Sequence, residues 1–213
     1  MNFINLVTPP AVEPVTLAEL GSAARYVVGS PDDSLLTGLI VSARQWCETY
    51  TDRVFISQTF DLVMDGFPFG GGYFNRNVRA CPSLGNWLPT HSGSIELPRP
   101  PVQSIVSITY LDSAGLGHTL SPSIYRVLGG SESPTLLTTQ ANQIFPVTFP
   151  QIGAATVRFT AGYGDTAASV PQGIKDAIKL LVASWYNDLT MVQEVGEVPQ
   201  GIKSILAPFV WGA

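Results

Sequence analysis

The spacing of hydrophobic residues changes twice along this chain of 213 residues, from helical to alternating and back to helical. The first helical stripe comprises Leu35, Leu36, Leu39, Ile40, Ala43, Trp46, Cys47 and Tyr50. The second comprises Ile174, Ala177, Ile178, Leu181, Val182, Trp185, Tyr186 and Leu189. Helices, then strands, then helices predict a segregated α+β fold, in which N-terminal and C-terminal helices flank a small central antiparallel β-sheet.

Two start signals divide the first helical zone. Thr16 and Glu19 have the spacing of a capping box, in which each residue satisfies a backbone N–H of the other. In the second signal we expect Ser30 at the N-cap and Pro31 at the first helical position, because both residue types are favoured there. The sequence therefore predicts two N-terminal helices.

Strict alternation in the middle of the chain predicts strands with one buried face. The residues expected on that face are Phe60, Leu62, Met64, Val106, Ile108, Tyr110, Ala155, Val157, Phe159, Ala161 and Tyr163. The turn signal at 112–115 predicts a hairpin between a strand at 102–111 and another near 119–127.

The stretch 66–93, between the first two predicted strands, is too long for an ordinary connection. It is rich in Gly, Pro, Asn and Ser, yet it carries several aromatic residues, which a solvated disordered loop would lack. We interpret it as an extended loop or hairpin excursion that is ordered against a partner.

The hexapeptide VPQGIK occurs at 170–175 and again at 198–203. Each copy places a proline where a helix begins, and we expect that proline at the first helical position. The first copy begins a long amphipathic helix. The second begins a helix that is too short to be stable alone and is interrupted by Pro208, so we expect it to become useful only on docking to a partner.

Composition argues against a catalytic or phosphate-binding protein. Charged residues make up only 13% of the chain, about half the ordinary share, which suggests that much of the surface meets other protein. The net charge of -5 at pH 7 disfavours a nucleic-acid-binding groove. His91 and His118 lack metal-ligand companions, and Cys47 lies on an apolar stripe, where we expect a small core residue. We therefore predict no catalytic residue, metal or cofactor.

The remaining signals concern the compartment. Cys47 and Cys81 are too few for a disulfide framework and fit a reducing compartment. We expect no signal peptide, because the N-terminus lacks a basic region followed by an apolar one. We also expect no membrane span, because no apolar run approaches about 20 residues.

Several segments, taken in order, resemble the head–tail connector (adaptor) family of long-tailed double-stranded DNA bacteriophages, which also occurs in prophages and gene-transfer particles. The segments are EPVTLAEL (13–20), DDSLLTGLIVSARQWCETYTDRVFISQTFDLVMDGFP (32–68), IELPRPPVQSIVSITYLDSAG (95–115), YRV (125–127), VRFTAGYGD (157–165), VPQGIKDAIKLLVASWY (170–186) and VPQGIKSILAPF (198–209). The stretch from about 69 to 93 is longer than the family pattern.

The resemblance implies a structural protein of the virion neck, made in the host cytoplasm, with no chemistry of its own. Such proteins form a ring of about twelve subunits under the portal protein and extend the channel through which the genomic DNA passes. They also offer a platform for a stopper or tail-completion protein. A single adaptor domain over 1–213 is implied, with an N-terminal arm at 1–15, a helical zone at 16–52, a β region at 57–165, a helix at 170–189 and a docking segment at 198–213.

The resemblance also assigns candidate contact residues. In the family the C-terminal segment reaches the portal, so the portal-docking candidates are Pro199, Ile202, Ile205, Leu206, Phe209 and Trp211. Loops of the central region face the tail side, so the candidates for contact with a neighbouring subunit or the tail are Phe67, Phe69, Tyr73, Phe74, Arg76, Arg79 and Trp87. The alternative left open by the residues is a non-catalytic binding module for a receptor or carbohydrate, which would use the aromatic stretch 67–87.

Overall fold

The computed structural model describes residues 2–23, 29, 31–68, 93–130, 133–191 and 198–211. The chain divides into two compact units, and each combines two segments that are separate in the sequence. The β unit lies within Met1–Pro9 and Gln58–Gly162, and the helical unit lies within Pro10–Ser57 and Tyr163–Trp211. Helices together with antiparallel sheets confirm the predicted α+β class. One domain over 1–213 stays a prediction.

Among its described residues the helical unit contains four α-helices: α1 (Leu17–Ala23), α2 (Asp33–Thr51), α3 (Gln172–Met191) and α4 (Gln200–Leu206). Short 3₁₀ helices cover Ala167–Ser169 and Ala207–Phe209. The predicted stripes and residues of the adjoining segments form one continuous core, made of Val15, Leu20, Leu36, Ile40, Ala43, Cys47, Phe55, Ile56, Val170, Ile174, Ala177, Ile178, Leu181, Val182, Ile202 and Leu206. Leu35 departs from the prediction, because it lies at the margin of its stripe and is 45% exposed.

The capping box before α1 is confirmed. The Thr16 N–H donates to Glu19 Oε2 at 2.8 Å, and the Glu19 N–H donates to Thr16 Oγ1 at 3.3 Å. The Thr16 backbone N–H lowers the pKa of Glu19, and the Thr16 hydroxyl, which donates to the same carboxylate at 3.1 Å, lowers it further. Both Val15 and Leu20 are buried, so the hydrophobic residues on either side of the cap reinforce the same helix start.

The expected start of α2 at Ser30 and Pro31 is wrong. The helix begins at Asp33 with Asp32 as its N-cap residue, whose carbonyl accepts the Leu36 N–H at 2.9 Å. The Asp33 carboxylate accepts the N–H of Gly29 at 3.1 Å and so holds the chain upstream in a turn. Pro31 therefore lies outside the helix, and Ser30 lies outside the described residues.

The two VPQGIK copies do begin two helices, but each proline lies one residue earlier than predicted. The Pro171 carbonyl accepts the Ile174 N–H at 3.1 Å, and the Pro199 carbonyl accepts the Ile202 N–H at 2.9 Å. Both isoleucines are buried in the helical core. The repeat is therefore one local solution used twice, in which a proline carbonyl caps a helix and the isoleucine three residues later anchors its first turn.

The β unit contains eight strands in the described residues: β1 (Asn2–Thr8), β2 (Gln58–Met64), β3 (Ser94–Leu97), β4 (Val102–Leu111), β5 (Gly117–Thr119), β6 (Tyr125–Gly130), β7 (Ser133–Thr139) and β8 (Ala155–Ala161). They form a five-stranded sheet in the order β1-β2-β8-β4-β5 and a three-stranded sheet in the order β3-β7-β6. Neighbouring strands in both sheets are antiparallel. The predicted N-terminal arm thus contains a strand, β1, that the sequence analysis missed.

Alternation in β2 and β8 is confirmed, with inward residues buried along both strands. Phe60 lies opposite Phe159 in the ladder, with ring centroids 5.9 Å apart. The expected burial of Val106 in β4 is wrong, because that side chain is 58% exposed. A register shift between Ile105 and Ser107 adds a residue to β4 there, so the alternation restarts and Ile108 takes the buried position.

The predicted hairpin is shorter than expected. Asp112 makes the turn, with its carboxylate accepting the N–H groups of Ala114 at 2.8 Å and Leu116 at 3.0 Å. Beyond the turn only β5 pairs with β4. The chain then enters β6, which pairs with β7 in the other sheet, so the expected continuation over 119–127 is wrong.

A substitution pair in α3 tests the position of the helical core. Leu181 is fully buried, whereas its neighbour Leu180 is 46% exposed. We expect Leu181→Ala to lower the free energy of unfolding by about 2–5 kcal/mol, because it leaves a cavity in the core. The matched variant Leu180→Ala should change it by about 0.5 kcal/mol. Urea denaturation followed by tryptophan fluorescence measures both, and equal losses would contradict the assignment of the buried face.

Candidate docking segment

The C-terminal segment, residues 198–211, packs into the helical unit of its own chain. Ile202 is 4% exposed and Leu206 is fully buried, and both belong to the helical core. Ile205 and Phe209 pack against that core from its edge. The portal-docking assignment of Ile202 and Leu206 stays a prediction, and in the single chain their spacing of one helical turn anchors α4 to the fold.

Arg53 holds the end of this segment. Its Nε donates to the carbonyl oxygen of Phe209 at 2.7 Å, and its Nη1 lies 3.5 Å from the Tyr163 hydroxyl oxygen. The guanidinium also lies over the Trp211 ring, 5.5 Å from the ring centroid. The Trp211 N–H donates to the carbonyl of Thr51 at 2.9 Å. Arg53 is 7% exposed, so its guanidinium is a buried charge. Its hydrogen bond to Phe209 and its contact with Trp211 form only when the C-terminal segment lies in this position.

The turn that presents Arg53 is built on Glu48. Asp52 takes the left-handed conformation at the end of α2, with φ 51°, and the Arg53 N–H then donates to the Glu48 carbonyl at 3.2 Å. The Glu48 side chain accepts the Phe55 N–H at 3.0 Å through Oε1 and an Arg44 N–H at 2.7 Å through Oε2. One buried glutamate thus holds both sides of the turn through its backbone and its side chain.

Glu48 shares Arg44 with a second carboxylate. Arg44 Nε donates to Glu13 Oε2 at 2.8 Å, and the Arg44 side chain is 6% exposed. Burial raises the pKa of Glu48, while the Arg44 charge opposes that rise and Glu13 adds to it. Glu13, Arg44 and Glu48 therefore form a largely buried cluster in which the two ion pairs of Arg44 stabilise the charges.

Phe209 rests on a glycine of the first hexapeptide copy. A Cβ atom added to Gly173 would lie 3.2 Å from Phe209 Cε2, so glycine permits a close approach of the ring to the first turn of α3. In the second copy, no described atom lies within 4 Å of the corresponding position at Gly201. The same glycine is therefore a packing site in one copy and an exposed residue in the other.

The surface that α4 presents on the side opposite its two anchors is small and carries no charged side chain, and Lys203 is a partly exposed charge elsewhere on the helix. Pro199, Gln200, Ser204 and Ala207 are exposed, and the last three follow one another at helical spacing on the side opposite the two anchors. Ile205 and Trp211 are partly exposed. These residues, together with Pro208, form the face of the segment that a partner can reach.

The second candidate contact set falls almost wholly outside the described residues. Phe69, Tyr73, Phe74, Arg76, Arg79 and Trp87 lie there, as do Cys81 and His91. Phe67 is described and is 4% exposed, stacked on Phe145 at 4.9 Å between ring centroids and edge-on to Tyr110 at 5.7 Å. Its ring is thus packed inside the β unit, and its assignment as a contact residue stays a prediction.

Cys47 is confirmed as a core residue. It is fully buried, and burial raises the pKa of its thiol to about 12, so the reactive thiolate form is suppressed at neutral pH.

The His118 side chain is 47% exposed, and its Nε2 lies 2.8 Å from Asp112 Oδ2. Among the residues the structure describes, no three His, Cys, Asp or Glu side chains are grouped closely enough to hold a metal ion. None of the described helices is both long enough and apolar enough to span a membrane.

No protein-family model matches this chain, and no curated protein matches it in sequence. The fold is nevertheless similar to chains in solved gene transfer agent (GTA) particles. One, in the neck of an empty GTA particle computed with C6 symmetry, gives a TM-score of 0.71 at 20% identity over 97% of this chain and 94% of that chain. A chain of the native GTA virion gives 0.69 at 21% identity over 97% and 94%. A chain of the native GTA neck, computed with C12 symmetry, gives 0.66 at 20% identity over 96% and 94%. At these identities the likeness is one of fold, and it extends over nearly the whole of both chains.

Removal of the Arg53 side chain should loosen the C-terminal segment. We expect Arg53→Ala to lower the free energy of unfolding by about 2–3 kcal/mol, because charged hydrogen bonds to buried acceptors are lost. Limited proteolysis should then cleave near residues 207–211 faster than in the unmodified protein. Lys203→Ala removes a partly exposed charge from the same segment and serves as the control. If the two variants are digested at the same rate, Arg53 does not hold the segment.

The raised pKa of Glu48 predicts a pH dependence of stability. The folded state keeps the Glu48 proton to a higher pH than the unfolded state, so the contribution of Glu48 to the free energy of unfolding falls as pH rises above about 4.3. Glu48→Gln removes this titration. We expect the stability of the native protein minus that of the variant to decrease with rising pH in urea denaturation from pH 4 to 8. A difference that is constant over this range would contradict the assignment.

Proposed function

We propose that this chain is a structural protein of the neck of a phage-like particle, an adaptor that forms a ring under the portal protein. The observation that carries the proposal is the fold likeness to a GTA neck chain over 97% of this chain, at a TM-score of 0.71. The ordered resemblance of the sequence segments to the connector family supports the same role independently, because it rests on residues rather than on coordinates. The proposed location is the virion neck, after synthesis in the host bacterial cytoplasm.

The proposed assembly is a closed ring of about twelve copies. Two of the similar structures are necks computed with C6 and C12 symmetry, which is consistent with a ring of that number. A ring needs two different surfaces on each copy, one that meets the copy before it and one that meets the copy after it. A chain with few charges and many exposed apolar residues suits such contacts.

The net charge suits a passage for DNA. At -5 per copy, twelve copies would carry on the order of sixty negative charges, which would repel the phosphate backbone. We propose that genomic DNA passes through the lumen without sequence-specific binding. On the opposite side from the portal, a stopper or tail-completion protein would bind, and the excursion at 66–93 would contact that protein or a neighbouring subunit.

The portal-facing surface would be the exposed face of the C-terminal segment rather than the whole segment. Ile202 and Leu206 are used by the fold, so Pro199, Gln200, Ser204, Ala207 and Pro208 are the accessible residues, with Ile205 and Trp211 partly accessible. The anchors would hold α4 in place, and the opposite face would meet the portal. The alternative of a binding module with an aromatic site gains nothing from the fold, since Phe67 is buried.

Electron microscopy of the purified protein, alone and mixed with the portal protein of the same particle, tests the role. We expect rings at high protein concentration or on the portal. The absence of both rings and portal binding over a range of salt and protein concentrations would overturn the proposed function.

A double substitution on the exposed face of α4 tests the docking surface. We expect Ser204→Glu with Ala207→Glu to reduce portal binding at least about tenfold, which is roughly 1.4 kcal/mol, because two charges must then be desolvated at the contact. The melting temperature should stay unchanged, since both positions are exposed. The matched control is Ser42→Glu with Gln45→Glu, at the same spacing on the exposed face of α2. Equal portal binding by both variants would exclude this face.

A further inference from the structure

Strand β1 is an edge strand without the usual protection. All seven of its residues are exposed, including Phe3 at 40%, Ile4 at 37%, Leu6 at 52% and Val7 at 42%. Within the described residues it pairs only with β2, so its second edge is open. Edge strands are normally protected by charges, prolines or short length, because an open edge invites pairing with another chain. The sequence NFINLVT contains no charge and no proline.

The inner face of the five-stranded sheet continues onto β1 without a cover. Ile4 lies opposite Leu62 and Leu6 lies opposite Phe60, so each pair shares one face of the sheet. Leu62 is 5% and Phe60 is 8% exposed, yet their partners on β1 are 37% and 52% exposed. The apolar surface therefore extends past the last covered strand, and a further strand alongside β1 would reduce its exposure.

A second open edge lies in the other sheet. The described sheet edges are β1, β5, β3 and β6. Strand β5 has only three residues, and β3 is mostly buried. Strand β6 has six residues, is exposed from Arg126 onward, and carries Val127 at 44% and Leu128 at 43% exposure. Its pairing with β7 is regular from Tyr125 to Leu128. Thus β6 is the described edge whose length and exposure match β1.

We propose that the open edge of β1 on one copy pairs with the open edge of β6 on the next copy, so that a sheet continues across the subunit boundary. The inference rests on the proposed ring, because it supplies the two different surfaces that a closed head-to-tail assembly needs. Each copy offers one β1 and one β6, and the two strands belong to different sheets, so both can be used at once. Such pairing satisfies the backbone N–H and C=O groups of both edges.

The chemistry favours a second copy of this chain as the occupant. Because β1 carries no charge and β6 carries only Arg126, their association desolvates a single charged side chain. Apolar side chains occur on both strands, so pairing would reduce the exposure of Ile4 and Leu6 on β1 and of Val127 and Leu128 on β6. Because Val127 and Leu128 are consecutive, one of them would lie on the same face of the sheet as Ile4 and Leu6. The seven residues of β1 are enough to pair along the regular part of β6, from Tyr125 to Leu128.

Site-directed cross-linking tests the pairing without depending on its register. Asn5→Cys and Arg126→Cys are made as separate, differently tagged proteins in a Cys81→Ser background. Cys47 is fully buried and stays unreactive while the protein is folded. A bismaleimide with a reach of about 10 Å spans two strand spacings and so tolerates a shift in register. We expect a cross-linked pair when the two proteins are mixed under ring-forming conditions, and none from either protein alone. A protein with both substitutions should give a ladder of multimers.

Charged substitutions give a second measurement. We expect Ile4→Lys with Leu6→Lys to abolish rings while leaving the melting temperature of the monomer unchanged. The control, Ile144→Lys with Ile152→Lys, changes two residues that are 79% and 72% exposed elsewhere in the β unit and should leave rings intact. Rings without the mixed cross-link, or a product between two Asn5→Cys copies, would overturn this inference and leave the proposed function standing. No rings under any condition would overturn both.

Discussion

Glu48 joins the parts of the helical unit that lie far apart in sequence. Its carbonyl and its carboxylate hold the turn after α2, and that turn places Arg53 against the carbonyl of Phe209. Arg44 and Glu13 then bring the segment before α1 into the same network. A buried carboxylate is costly unless it is paired and hydrogen-bonded, so its position is strongly determined by its partners. The beginning and the end of the unit are therefore held by one small set of polar contacts inside an apolar core.

This arrangement separates folding from docking within the C-terminal segment. Ile202 and Leu206 point into the core, while Ser204 and Ala207 are exposed. A helix of seven residues has little stability alone, and here the core supplies it. The proposed portal surface is thus presented on a preformed element, which reduces the entropy that would be lost on binding. The two hexapeptide copies share this logic, since each isoleucine anchors the first turn of its helix.

Within the described residues, the β unit has a filled centre and two long exposed edge strands, β1 and β6. Its inner face is filled by β2 and β8, whose opposed side chains include Phe60 with Phe159 and Leu62 with Val157. At β1 the same face continues uncovered, which is unfavourable for an isolated chain and useful for a subunit that meets its neighbours. The exposed apolar edge and the low content of charged residues both favour contact between this surface and another protein subunit.

Features that depend on near neighbours can be predicted from the sequence: the α+β class, the Thr16–Glu19 capping box, the stripe of α2, the alternation of β2 and β8, and the two helices that begin in VPQGIK. Each is set by contacts within a few residues or by a simple period. The remaining features depend on contacts between distant parts of the chain. The bulge that exposes Val106, the burial of Phe67, the strand β1, and the place of Arg53 all depend on which distant segments meet. The spacing of residues along the chain does not predict these long-range contacts. A buried charge, or an added residue in a strand, is stable only when its distant partners are in position.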